Sequence, residues 1–171
     1  MRTHVMLAAA FALVGCQTVP SDAPRATASL QPTKGNQTSG TVNFVQVGDK
    51  VRVNTVITGL KPGREHGFHV HEVGDCGSGD GMSTKGHFNP HGKAHAHFGS
   101  MDRHAGDMPA LKADGNGRAE ASFELDVITV APGPASVVGR GLIVHADPDD
   151  YKTQPTGNAG ARIACAVIRR S

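Results

Sequence analysis

The sequence predicts an all-β domain, and three observations carry that expectation. Apolar residues recur with period two: Thr41 to Val47 alternates, and Val51, Val53, Thr55 and Ile57 share one face of the strand that follows. No stretch sustains a helical period. The 171 residues include 22 glycines and 10 prolines, which cut the chain into short segments. Short strands of this kind close into an antiparallel sandwich or barrel.

Taken in order, the segments read as follows. Arg2 and His4 precede an apolar run from Val5 to Val14. About ten residues cannot span a bilayer core of roughly 30 Å, so residues 1–15 read as a cleaved signal peptide. Leu13-Val14-Gly15-Cys16 resembles the bacterial lipobox, which implies a lipid on Cys16 as the new N-terminus. Residues 16–40, rich in Ala, Ser, Thr, Pro and Gln with Pro20, Pro24 and Pro32, are expected to be a flexible tether. The folded domain is then residues 41–171. Gly48-Asp49 supplies its first turn, Gly59 to Gly63 the next break, and His66 to His71 a further extended run. Leu111 to Ala113 and Arg118 to Leu125 flank Asp114-Gly115-Asn116-Gly117, a hairpin signal. Val137 to His145 and Ala161 to Ile168 are the late strands. Two long segments interrupt this pattern, Val73–Pro109 and Ala146–Gly160; loops of that length in a small domain usually carry function.

Charge and cysteines narrow the partners. Without residues 1–15 the chain keeps 16 basic and 15 acidic residues, a balance that argues against nucleic acid and against an acidic membrane surface as a partner. Contact with a membrane is then through the N-terminal lipid alone. Three cysteines in an exported chain leave one unpaired. With Cys16 lipidated, Cys76 and Cys165 remain as a natural disulfide pair in an oxidising compartment. Closing so long a loop stabilises a domain by roughly 4–5 kcal/mol in the chain-entropy model.

Six histidines and one aspartate have a spacing that two metal ions explain: His69 and His71 in GFHVHE, His87 in GHFNP, His95, His104 and Asp107 in RHAGD, and His145 in GLIVHA. His-x-His places both rings on one face of a strand, with Cα atoms roughly 6.6 Å apart, close enough for two nitrogens to meet one ion. A zinc hydrolase would need an open metal position and a nearby carboxylate base; Glu72, adjacent to His71 on an extended strand, faces the other way.

At GFHVHE–GDC, GHFNP, RHAGD, GR–LIVHA and GNAGARIAC the chain resembles the copper/zinc superoxide dismutases, in their bacterial exported form, over about Gly40 to Ile168. The resemblance implies a Greek-key sandwich or flattened barrel of about eight strands with two long functional loops. It implies one copper per subunit, cycling between Cu(II) and Cu(I), on His69, His71, His87 and His145. One zinc would sit on His87, His95, His104 and Asp107, with His87 shared. Asp149 matches a carboxylate holding His69 and His95, Arg162 a guanidinium that docks the superoxide anion, Thr156 a wall of the substrate channel, and His66 a packed structural histidine. His91 and His97 match no ligand; Lys93 and Lys152 are candidates for attracting anions. A non-catalytic copper or zinc carrier on the same fold is the competing reading, and every ligand and the arginine are present against it. The resemblance leaves monomer and homodimer both open. A lipidated Cys16 followed by Gln17 points to the periplasm, anchored in the outer membrane.

Overall fold

The computed structural model describes residues 20–171, so the signal peptide and Cys16 lie outside the described residues. Ten strands follow in order: β1 (Arg25–Pro32), β2 (Ser39–Val47), β3 (Lys50–Thr58), β4 (Glu65–His66), β5 (Phe68–His71), β6 (Leu111–Lys112), β7 (Ala119–Leu125), β8 (Gly141–His145), β9 (Arg162–Val167) and β10 (Arg169–Arg170). One 3₁₀ turn, Met82–Thr84, is the only helical element among the described residues.

All pairings between strands are antiparallel, and the main sheet runs β5-β8-β9-β1-β2-β3-β7, with β10 also on β1. The connections from β3 to β5 and from β7 to β8 cross from one side of the sheet to the other, the Greek-key feature of this all-β fold. Alternation explains the core. Val51, Val53, Thr55 and Ile57 of β3 are all buried, as their spacing predicts. Ala26, Ala28, Leu30, Val42 and Phe44 join Phe68, Val70, Leu142 and Val144 in the same cluster.

Two expectations are corrected. The tether predicted for residues 16–40 contains β1, a central strand paired with β2 on one edge and with β9 and β10 on the other. Its inward residues are Ala26, Ala28 and Leu30, and alanine adds so little apolar weight that the period of two is faint. Pro24 and Pro32 stand just before and at the end of the strand, where a missing N–H is tolerated. The folded domain therefore begins near Arg25. The second correction concerns the hairpin. Asp114 and Arg118 do close a tight turn, with the Asp114 N–H donating to the Arg118 carbonyl at 2.8 Å. The flanking strands nevertheless pair elsewhere, β6 with β4 and β7 with β3.

The site is positioned by β5 and β8. Phe68 and Val70 point into the core, so His69 and His71 point to the opposite face of the sheet. All four are buried, because the two long segments cover that outer face.

Candidate metal centre

β5 is the floor of the site, and backbone bonds dock the loops onto it. The Phe88 N–H donates to Val70 at 2.8 Å, the Val70 N–H to Gly106 at 3.0 Å, and the Gly106 N–H to Phe88 at 2.9 Å. Isolated bridges pair His71 with His87 and His69 with Asp107. Gly106 has to be glycine, since a Cβ there would run into the Val70 carbonyl. On β8, a bulge between Val144 and His145 re-aims His145, which pairs with Arg162 across to β9.

The ligand atoms form two groups. One nitrogen each of His69, His71, His87 and His145 lie within 4.8 Å of one another, and so do ligand atoms of His87, His95, His104 and Asp107. In the first group His69 Nδ1 and the Nε2 atoms of His71, His87 and His145 are buried with no hydrogen-bond partner. Their opposite nitrogens are all engaged: His69 Nε2 with Asp149 Oδ2 at 2.7 Å, His71 Nδ1 with the Lys85 carbonyl at 2.9 Å, and His145 Nδ1 with the Gly160 carbonyl at 3.2 Å. Nδ1 of His71 faces a carbonyl acceptor, so it carries the proton and Nε2 presents a lone pair. Four convergent buried lone pairs without donors are costly unless a cation receives them. Four imidazoles suit copper.

The second group is built around Asp107. Its Oδ1 lies 2.9 Å from His87 Nδ1, 3.0 Å from His95 Nδ1 and 3.4 Å from His104 Nδ1. Its Oδ2 accepts the backbone N–H of His104 at 3.0 Å and that of Ala96 at 3.2 Å, which fixes the carboxylate. Three imidazoles and one carboxylate make a closed tetrahedral zinc set. Asp149 ties the groups together: Oδ2 reaches His69, and Oδ1 accepts from His95 Nε2 at 2.9 Å. A side chain on Gly157 would collide with Asp149 and His95.

Electrostatics sort the rings. Burial, reinforced by neighbouring imidazoles, holds His71 well below its usual range and His145 at about 3. Burial likewise pulls His87 to about 4 against the hydrogen bond that its Nδ1 makes to Asp107. All three are neutral at pH 7, the form in which imidazole binds a metal. His95 differs. Burial opposes its charge, but hydrogen bonds to Asp107 and Asp149 outweigh this and raise it to about 9. Burial would raise both carboxyls, but hydrogen bonds from His104, His87 and His95 to Asp107, and from His69 and His95 to Asp149, hold them far below their ordinary range. In the metal-free protein a proton on His95 thus takes the cation's place between two carboxylates.

Arg162 is half-buried beside this cluster. Its Nη1 donates to the Gly81 carbonyl at 2.7 Å and to Thr84 Oγ1 at 3.0 Å, and its Nη2 to the Lys85 carbonyl at 2.7 Å. The Cys76–Cys165 disulfide is formed and fastens the loop that supplies these acceptors to β9, which carries Arg162. Of the other residues singled out in the sequence, His66 is buried and bonded through Nδ1 to the His145 carbonyl at 2.8 Å, while His91 and His97 are exposed and outside both groups. Thr156 is half-buried next to Gly157. Lys93 is paired with Asp102 at 2.7 Å, and Lys152 is exposed. Glu72 is exposed, facing away from the metal groups. Two contributors were not foreseen: Thr84, and Gln154, which grips the His95 backbone through N–H to Oε1 at 2.9 Å and Nε2 to carbonyl at 2.7 Å. Neither residue type stands out in a loop sequence.

Fold and site together define an all-β metalloprotein with adjoining four-nitrogen and three-nitrogen, one-carboxylate pockets. The family model of copper/zinc superoxide dismutase matches residues 38–168, and the chain belongs to that family, whose cofactors are copper and zinc. A copper–zinc superoxide dismutase of Paramecium bursaria Chlorella virus 1 is 47% identical over 135 residues, spanning 75% of this chain and 71% of that one. The second copper–zinc superoxide dismutase of Aquifex aeolicus is 38% identical over 149 residues, 85% of this chain and 86% of that one. Among solved structures, the clock protein EA4 superimposes with a TM-score of 0.78 at 42% identity, covering 89% of this chain and 96% of that one.

Proposed function

We propose that the protein disproportionates superoxide, converting two superoxide anions and two protons to dioxygen and hydrogen peroxide, and that it does so outside the cytoplasm. The observation that carries the reading is the set of four unpartnered ring nitrogens on His69, His71, His87 and His145, each ring held by its other nitrogen. Copper held by His69, His71, His87 and His145 would supply the one-electron redox chemistry that the reaction needs. His87 is shared: Nε2 faces the copper set while Nδ1 faces Asp107 in the zinc set. Its Nε2 is the atom that takes up and returns a proton in each cycle. Arg162 binds and orients the anion with a planar, permanent charge. Asp149 keeps His69 and His95 in register, and Thr156 lines the approach.

The test is a superoxide-dismutation assay on metal-free, zinc-only and copper–zinc protein. Activity is expected in the doubly loaded form alone; an inactive protein carrying both metals would favour a carrier. Arg162→Ala is expected to lower the rate and flatten its ionic-strength dependence with both metals retained.

The location is part of the proposal. Residues 1–15 direct export, Cys16 carries the lipid, and Gln17 favours the outer membrane, so the enzyme protects the cell envelope. Cys16→Ser is expected to move the protein from the membrane fraction to the soluble periplasmic fraction; continued membrane association would reject lipidation.

A further inference from the structure

Thr84 ends the 3₁₀ turn Met82–Thr84 and is completely buried. Its hydroxyl has one proton and two lone pairs, and three groups surround it. The proton goes to the Gly81 carbonyl at 2.8 Å. One lone pair accepts from Arg162 Nη1 at 3.0 Å, and the other faces His71 Nδ1 at 3.2 Å. The His71 proton is therefore shared between the Lys85 carbonyl and Thr84 Oγ1, leaving Nε2 free for the copper pocket. Thr84 is the one side chain, among the described residues, bonded to both a ring of the copper set and the guanidinium of Arg162.

The hydroxyl is also held from behind. Gly141 stands opposite His71 in the β5–β8 register, and a Cβ on Gly141 would lie 2.8 Å from the Thr84 methyl and 3.0 Å from its Cβ. The gap left by a glycine on β8 is thus filled by the Thr84 side chain, which limits its χ1 freedom. Methyl and hydroxyl have separate jobs, packing and bridging.

We infer that Thr84 is a positioning residue that couples the orientation of the copper ligand His71 to that of the anion-docking Arg162. The inference deepens the proposed function and rests on it. The bridge keeps the guanidinium at a set place relative to the copper pocket, so an anion meets both together rather than one on a swinging side chain. Without the hydroxyl, Arg162 Nη1 keeps only Gly81, and the His71 proton keeps only Lys85.

Copper–zinc protein is compared as wild type, Thr84→Val, which keeps the methyl, and Thr84→Ser, which keeps the hydroxyl. The readouts are the electron paramagnetic resonance spectrum of Cu(II) and the affinity for azide, a small anion that probes the docking position. Thr84→Val is expected to take up both metals, show a shifted copper spectrum, and bind azide about three- to tenfold more weakly, the range for losing one ordinary hydrogen bond. Thr84→Ser is expected to restore both readouts to wild-type values. A Val variant indistinguishable from wild type overturns the inference. So does a Ser variant as impaired as Val, because packing rather than the hydroxyl would then be responsible. Should Thr84→Val fail to load copper, Thr84→Ala is read by the same criteria. Loss of superoxide dismutation in the doubly loaded wild type would instead fail the functional reading, and it is scored separately.

Discussion

Asp149 reaches a ring in each metal group, which makes it the single side chain most worth removing. Asp149→Asn keeps the size but supplies one acceptor where His69 and His95 need two. The variant is expected to lose metal by about 10- to 100-fold in affinity while melting nearly as the wild type does, measured by metal content after dialysis and by thermal unfolding. The titrating groups add a pH prediction for the metal-free protein. His87 and His145 have folded pKa values of about 4 and about 3, below the ordinary 6.5, so the folded state binds fewer protons and stability falls as pH drops below about 6.5. His95, raised to about 9, contributes stability that is complete below about 6.5 and disappears as pH rises through 9. Thermal melts of chelator-treated protein should therefore be highest near pH 6.5 and fall on either side, and a flat profile would contradict the assignment. The ligands were legible in the sequence because six histidines and an aspartate recur in motifs whose order and spacing match one family, where a lone His-x-His would have said little. Thr84 and Gln154 were not, since a hydroxyl or amide finds its role only through neighbours that the fold brings close.

Among the elements, the segment between β8 and β9 holds its geometry through Gly157, which has φ +68° and no room for a side chain. Gly157→Ala is expected to push Asp149 off His95 and lower zinc retention, with copper retention falling as His69 loses its anchor; metal analysis checks both. The disulfide joins residues 89 apart, and replacing both cysteines by serine should reduce stability to denaturant by about 2–5 kcal/mol. An unchanged midpoint would show that the loop is fixed by its hydrogen bonds alone. Strand periodicity was readable wherever Val, Ile and Phe alternate, as in β3. It failed at β1, where alanines do the packing, and at β6, where a convincing turn says nothing about which neighbour a strand will take.

On the scale of the whole molecule, β1 decides where the domain starts. A chain shortened to residues 38–171 lacks the strand between β9 and β2, and it is expected to be unfolded by circular dichroism, whereas one beginning at residue 20 should keep the wild-type melting temperature. Apolar alternation made a β fold and two long functional loops readable, yet not that the first and last described strands, β1 and β10, pair with each other. The Arg25 carbonyl accepts a hydrogen bond from the amide of Ser171 at 3.1 Å. Synthesis runs from the first of these residues to the last. The nascent polypeptide can zip β2 onto β3 early, but the seam beside β1 stays open until β9 and β10 have been made. The metal site, which takes His145 from β8 and Arg162 from the β9 that pairs with β1, is therefore assembled only once these late strands have been made, and ions are captured late in folding.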